Sequence, residues 1–288
     1  MSRERRPAPP AVGQRRARTL CVTSGKGGVG KTSVAVNLGI ALAEAGRRVI
    51  VMDMDLGLAN IDVVTDIRSR HNLYHVLVGR KDLQDVLVPG PGGILVVPGA
   101  SGIAQMADLA DARRRDLIAR FVELETMADV IIIDTAAGIG RNVIGFAQAA
   151  DEVLVITTPE PTAVTDAYAT IKTICRCPEH GELNLLVNMA ANRVEARRVA
   201  RRITGVARQF LSVYVEDVGH VVTDEHLREA VRLRRPLLTA FPKAPASACI
   251  QCVAEIMGHD ATRLRRPLGF FAKLTAAFRG GGEQRHAG

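Results

Sequence analysis

The run Ser24-Gly25-Lys26-Gly27-Gly28-Val29-Gly30-Lys31-Thr32-Ser33 constrains this chain more than any other stretch. It follows a short apolar run, Leu20 to Thr23, that predicts a strand, and precedes Val34 to Ala45, which predicts a helix. Strand, glycine-rich loop and helix in that order are the setting in which G-x-x-x-x-G-K-[ST] works as a phosphate loop. The glycines let backbone N–H groups curl around a polyphosphate. The helix N-terminus adds unpaired donors and a positive dipole end. In such a loop Lys31 neutralises the β- and γ-phosphates and the Thr32 hydroxyl reaches Mg²⁺.

Further short aliphatic runs recur at Val49 to Met52, Ile94 to Val97, Val130 to Ile133, Val153 to Thr157 and Leu183 to Val187, with helical patterns between them. Continuous apolar runs of this length suit parallel strands covered on both faces. The expected fold is therefore α/β: a doubly wound, mostly parallel sheet flanked by helices, with its ligand at the carboxyl ends of the strands. Gly79 to Pro91 reads as a loop with a short helix. Aliphatic side chains must fill the core, because aromatics make up 3% of the 288 residues and Trp is absent.

Two acidic motifs leave predicted strand ends. Asp53-Met54-Asp55 follows Val49 to Met52. Two carboxylates one residue apart beside a phosphate loop can approach Mg²⁺ and a water, although an acidic turn would look the same in isolation. Asp134-Thr135-Ala136-Ala137-Gly138 follows Val130 to Ile133. An acid at the tip of a hydrophobic strand can hold Mg²⁺, often through water, or cap the next helix. Gly138 would let the backbone approach a γ-phosphate.

Lys26 adds a second lysine that a single cradle does not need. The pattern K-G-G-x-G-K-[ST] resembles the deviant phosphate loop of the MinD/ParA ATPases. That resemblance implies a P-loop fold, ATP and ADP as ligands with Mg²⁺, and hydrolysis within an ATP-dependent homodimer. Gly25, Lys26, Gly27, Gly28, Val29, Gly30, Lys31, Thr32 and Ser33 would cradle the nucleotide. Lys26 would reach the partner's nucleotide, and Asp55 would position the attacking water. Thr32, Asp53 and Asp134 would serve the metal, Gly138 would act as a switch, and Asn188 would read the adenine edge. The segment Thr157-Thr158-Pro159-Glu160-Pro161-Thr162-Ala163-Val164-Thr165-Asp166-Ala167-Tyr168 resembles the flagellar number regulators of this family, the FlhG group, also called FleN or YlxH. Val221 to Leu238 and Pro245-Ala246-Ser247 continue the likeness, which covers about residues 19–257. It implies a slow switch controlling the number or placement of flagella, with the GTPase FlhF and flagellar basal-body proteins as partners. A MinD-type division-site ATPase and a ParA-type partitioning ATPase stand as alternatives. Two departures matter. The D-Q-A-x-x-L-R pattern by which many members stimulate FlhF does not occur in Met1 to Arg18, and of a late Pro-Glu-Asp only Asp224 is kept.

Charge is concentrated at the ends. Residues 1–18 carry six Arg and one Glu, residues 259–288 carry six Lys/Arg and two acids, and the rest sums to −1 of the total +8. Basic ends favour anionic partners or serve only as solubilising tails. The near-neutral body argues against nucleic acid. The expected organisation is an arm over 1–18, an ATPase domain over 19–258, a basic linker over 259–267, a helix over 268–279 and a flexible tail over 280–288. Leu268, Phe270, Phe271, Leu274 and Phe278 fall on one side of that helix, with Lys273 and Arg279 beside them. The pattern suits an interfacial membrane helix and resembles the targeting helix of this family. A helix docked on the protein's own surface has the same pattern. With no apolar run long enough to span a bilayer and no signal stretch, a cytoplasmic protein reversibly bound to the inner membrane face is expected. Cys249-x-x-Cys252 is expected to be a buried structural pair on a helix over Ala246 to Met257. An iron–sulfur carrier, whose cluster such a pair could hold, is the alternative of another class.

Overall fold

The computed structural model describes residues 16–55, 61–99, 122–177, 180–259 and 269–279. Residues 1–15 of the expected arm, 260–267 of the expected linker, Leu268 and the tail 280–288 lie outside them, as does the side chain of Phe278, while His259 ends the last turn of a helix. The strands are β1 (Arg18–Ser24), β2 (Val49–Met54), β3 (Val88–Pro89), β4 (Leu95–Val97), β5 (Val130–Ala137), β6 (Glu152–Thr157), β7 (Glu182–Ala190) and β8 (Val215–Val222). They form one sheet in the order β3-β4-β2-β5-β1-β6-β7-β8. All neighbours are parallel except β3 and β4. The helices are α1 (Lys31–Glu44), α2 (Ile61–Thr65), α3 (Leu73–Leu77), α4 (Arg141–Ala149), α5 (Pro161–Ile174), α6 (Arg193–Leu211), α7 (Glu225–Arg232), α8 (Leu237–Ala240), α9 (Pro245–His259) and α10 (Phe270–Arg279).

The predicted strands all form, and the sequence reading omits β3 and β8. Between Gly79 and Pro91 there is a short 3-10 turn, Leu83–Val86, followed by β3. Alternation along each strand splits the core in two. Cys21, Ile131, Ile133 and Val153 join one apolar cluster, while Leu20, Val22, Ile132 and Leu154 join the other. This is the period-2 pattern of strands buried on both faces. The first cluster includes side chains of α4, α5, α6 and α10, and the second those of α1, α7, α8 and α9.

Three expectations need correction. The fold begins before residue 18: the Arg16 guanidinium lies 3.0 Å from Asp151 and 3.4 Å from Glu125, and Ala17 N donates to Glu125 O. Cys249 is half-buried and Cys252 exposed. The buried face of α9 carries Ile250, Val253, Ala254 and Met257 instead, and Ile256 is exposed. The CxxC pair therefore rides the outer flank, because hydrophobic burial favours the four aliphatic positions over the thiols. Finally, α10 is not a free amphipathic helix. Phe270, Phe271 and Leu274 are buried in the same cluster as Phe146 and Ala147 of α4. Glu125 caps the start of α10 by accepting from Phe271 N, and Lys273 lies 3.4 Å from Asp151. Among the described residues no helix is long and apolar enough to cross a membrane.

Candidate nucleotide site

The sheet order brings the carboxyl ends of β1, β2, β5, β6 and β7 around one loop. Residues 25–30 link β1 to α1. Gly30 is the N-cap of α1 with φ +88°, a left-handed conformation that suits glycine. A Cβ there would also strike the Asn188 amide, 2.5 Å away. Gly25 is forced by a different contact, since a Cβ would collide with the backbone of Asp166 in α5. Lys31 opens α1 and is turned inward, at the edge of full burial. Desolvation pushes its pKa below the ordinary lysine range, while Asp134 and Asp55 pull it up. A lysine in this state is a cation held in a partly dry, carboxylate-lined pocket.

Register sets Asp53 beside Asp134 on neighbouring strands. Both are fully buried. The Thr32 hydroxyl donates to Asp134 Oδ2 at 2.6 Å, while Asp134 Oδ1 is buried without a hydrogen-bond partner. Burial, then Asp53 and Asp55, pushes the Asp134 carboxyl up to about 7 despite Thr32 and Lys31. An orphaned carboxylate oxygen next to a threonine hydroxyl fits a hard divalent cation such as Mg²⁺, which takes oxygen ligands. Asp53 is placed at the site, but its oxygens accept from Asp55 N at 3.0 Å and Ile61 N at 3.2 Å. Its visible work is to hold the chain that carries Asp55. Residues 56–60 of that motif lie outside the described set. Gly138, with φ +99°, donates its N–H to Ser24 O, tying the end of β5 to the phosphate loop.

Asn188 is also at the site and fully buried. Its Nδ2 donates to Val29 O at 2.8 Å and its Oδ1 accepts from Met189 N at 2.9 Å. These bonds pin the loop to β7 and leave the amide one further N–H and lone pair. A cleft of about 420 Å³ opens beside the loop between Gly28, Thr158, Glu160, Met189 and Thr223.

Lys26 points away from Lys31. Its ammonium donates to Glu160 Oε1 at 2.5 Å and to Thr162 Oγ1 at 2.9 Å, and Thr162 donates to the same Glu160 oxygen at 3.0 Å. The Lys26 contact leads the causes that hold the Glu160 carboxyl below its usual range. Sequence reading missed Glu160 and Thr162 as site residues, because 134 residues separate Lys26 from Glu160 and only the β1–β6 pairing joins them. Asp224 takes a structural place: it accepts from His226 N and Ala246 N and so ties the starts of α7 and α9 together.

Comparison with known proteins agrees with this geometry. Residues 17–187 match the model of a family described as an AAA domain. The chain is 45% identical over 238 residues to the antiactivator FleN of Pseudomonas aeruginosa, covering 82% of this chain and 84% of FleN. It is 35% identical over 242 residues to the flagellum site-determining protein YlxH of Helicobacter pylori, covering 83% and 81%. Among solved structures, the septum site-determining protein MinD of Pyrococcus horikoshii, in complex with Mg-ADP, superposes with a TM-score of 0.69. It shares 23% identity and covers 86% of this chain and all of that one. A buried phosphate-loop lysine, a Thr32–Asp134 pair, an outward second lysine and these relatives together assign the chain to the MinD/ParA-type P-loop ATPases, on the branch that holds FleN and YlxH.

Proposed function

We propose that the protein is an ATP-dependent dimerising switch that sets the number or placement of flagella at the membrane. The observation that carries this reading is the different placement of two lysines on one loop. Lys31 faces the carboxylates of its own site, and Lys26 is turned outward onto the segment that resembles the flagellar regulators. Lys31 would hold the β- and γ-phosphates of ATP, with the backbone of Gly27 to Ser33 around them. Thr32 and Asp134 would hold Mg²⁺, which supplies charge neutralisation on the phosphoryl oxygens when bound. Asp55, fixed through its own N–H by Asp53, would orient water. Lys26 of one copy would stabilise charge on the other copy's nucleotide. Positioning and electrostatics suffice for such a reaction, so turnover can be slow and the nucleotide state can act as the signal. Asn188 would act first by fixing the loop, with its remaining N–H and lone pair turned to adenine.

The membrane part of this reading requires α10 to leave its seat, since the described apolar side chains of that helix are covered. Two released helices in a dimer would bind anionic lipid better than one. FlhF and flagellar basal-body proteins are the protein partners that this reading implies. Deleting the gene in its host tests the biological assignment. Cells with extra or misplaced flagella and normal division agree with it. Normal flagella with misplaced septa would favour a division-site role instead.

A further inference from the structure

Two acids on the α10 side of the sheet each hold two distant parts of the chain. Glu125 is almost fully buried. Its carboxylate lies 3.4 Å from the Arg16 guanidinium and accepts at 3.3 Å from Phe271 N in the first turn of α10. Its backbone oxygen accepts from Ala17 N at 2.6 Å. Asp151, just before β6, takes Arg16 on both oxygens at 3.0 and 3.3 Å and lies 3.4 Å from Lys273 of α10. Thr19 of β1 fixes this acid, donating its N–H and hydroxyl to Oδ2 at 3.0 and 2.8 Å. The base of the N-terminal arm and the start of α10 thus share both acids.

The helix depends on this clamp. A helix of 10 residues is too short to be stable alone in water. Its apolar seat holds it, and so does negative charge at its N-terminus, where N–H groups have no partner within the helix. Gly269 makes room for that charge: a Cβ there would strike Glu125 Oε2, 2.5 Å away. Glu125 in turn needs Arg16. Burial raises its pKa, and Arg16 is the largest of the causes that oppose the rise. Without the guanidinium, a carboxylate this dry must take up a proton or turn to water. The neutral acid is a weaker acceptor for Phe271 N, and the turned one no longer reaches it. Asp151 would keep Thr19 and Lys273 but lose its nearer cation.

We infer that Arg16 is a latch: the base of the N-terminal arm holds α10 on the body, and displacing Arg16 from Glu125 and Asp151 frees the helix. Residues 1–15 lead directly into Arg16, so whatever draws on them acts on the latch first. Coupling of this kind is reciprocal, and freeing α10 must also loosen the base of the arm. Arg18, two residues on, serves the side of the sheet that carries α9. There it meets Glu152 at 3.0 Å and Met257 O at 2.7 Å. Its loss would cost stability without touching the clamp. The latch concerns what holds α10, and it rests on the membrane reading only for what the freed helix then meets.

The test is hydrogen–deuterium exchange of the full chain, with the amides of α10 and of Ala17 compared with those of β5. Co-sedimentation with vesicles of phosphatidylcholine and phosphatidylglycerol runs beside it. R16Q should speed exchange in α10 by about tenfold or more while β5 keeps its rate. R16K, whose ammonium cannot span both acids as a planar guanidinium does, should speed it less. If R16Q does not fold by its melting curve, R16K decides alone. R18Q, which breaks a pair about as dry, should lower the melting temperature and leave α10 at the wild-type rate. F271E/L274E should speed the exchange of Ala17. Three results would overturn the latch: α10 exchanging at the wild-type rate in the Arg16 variant, equal speeding in R18Q, or Ala17 unchanged in F271E/L274E. The vesicles separate the two readings. If R16Q frees α10 and binds them better than wild type, both gain support. If it frees α10 and ignores them, the latch is supported and the membrane reading fails.

Discussion

Lys26 is a residue whose type and position are legible in the sequence while its contacts are not. Its position after Gly25 marks it as the second lysine of the loop, and the structure turns it outward. The sequence gives no sign that Glu160 and Thr162 hold it there, because that contact exists only once β1 lies beside β6. The same holds for Asp53: its acid type and strand-end position are readable, while its two bonds to the backbone at Asp55 and Ile61 arise from the folded path of the loop. The Lys26–Glu160 pair is exposed, so it adds little to stability, and its weight falls on function. If Lys26 must leave Glu160 to reach a second nucleotide, Glu160→Gln should lower the ATP concentration at which dimers appear and leave the melting temperature unchanged. Light scattering across an ATP titration checks this. A weaker dimer in the variant would instead make Glu160 a group that positions Lys26 for the partner.

At the scale of elements, α10 shows where pattern alone stops. Its apolar side was readable from spacing, but lipid and a protein groove ask for the same periodicity. The structure seats Phe270, Phe271 and Leu274 in the core beside α4. Each such side chain contributes at most about 1.5–3 kcal/mol when buried. Phe271→Glu with Leu274→Glu should therefore detach the helix and lower the melting temperature without preventing nucleotide binding. A variant that melts like wild type would show that the seat is not held in solution. The cap of α10 adds a pH dependence. Burial leads the causes that raise the Glu125 carboxyl above its ordinary 4.5, against Arg16 and the Phe271 N–H. A carboxyl whose pKa is higher folded than unfolded holds its proton more tightly when folded. Its contribution to stability is thus fullest below about 4.5 and is lost as pH rises through the folded value. Melting curves from pH 4 upward should show that loss in wild type and a flatter profile in Glu125→Gln. Parallel profiles would remove Glu125 as the titrating cap. Among strands, β8 escaped sequence reading because Asp217, Gly219 and His220 interrupt its apolar run at the edge of the sheet, where among the described residues it has a strand neighbour on one side only. The central strands, apolar on both faces, were readable for the opposite reason.

For the whole molecule, the layered α/β architecture and the phosphate loop could be read from sequence because each rests on local pattern. Properties that depend on what the fold gathers could not. Nothing in the sequence joins Arg16 to Lys273, yet the fold sets both on Asp151. In the proposed dimer one loop would serve two nucleotides, its own through Lys31 and a partner's through Lys26. The most direct test is the mass of the protein in solution by light scattering, with ATP and Mg²⁺ and with ADP and Mg²⁺, for wild type and Lys26→Ala. Wild type should be a dimer with ATP and a monomer with ADP, while Lys26→Ala binds ATP and stays a monomer. A Lys26→Ala protein that dimerises with ATP as wild type does would contradict the account.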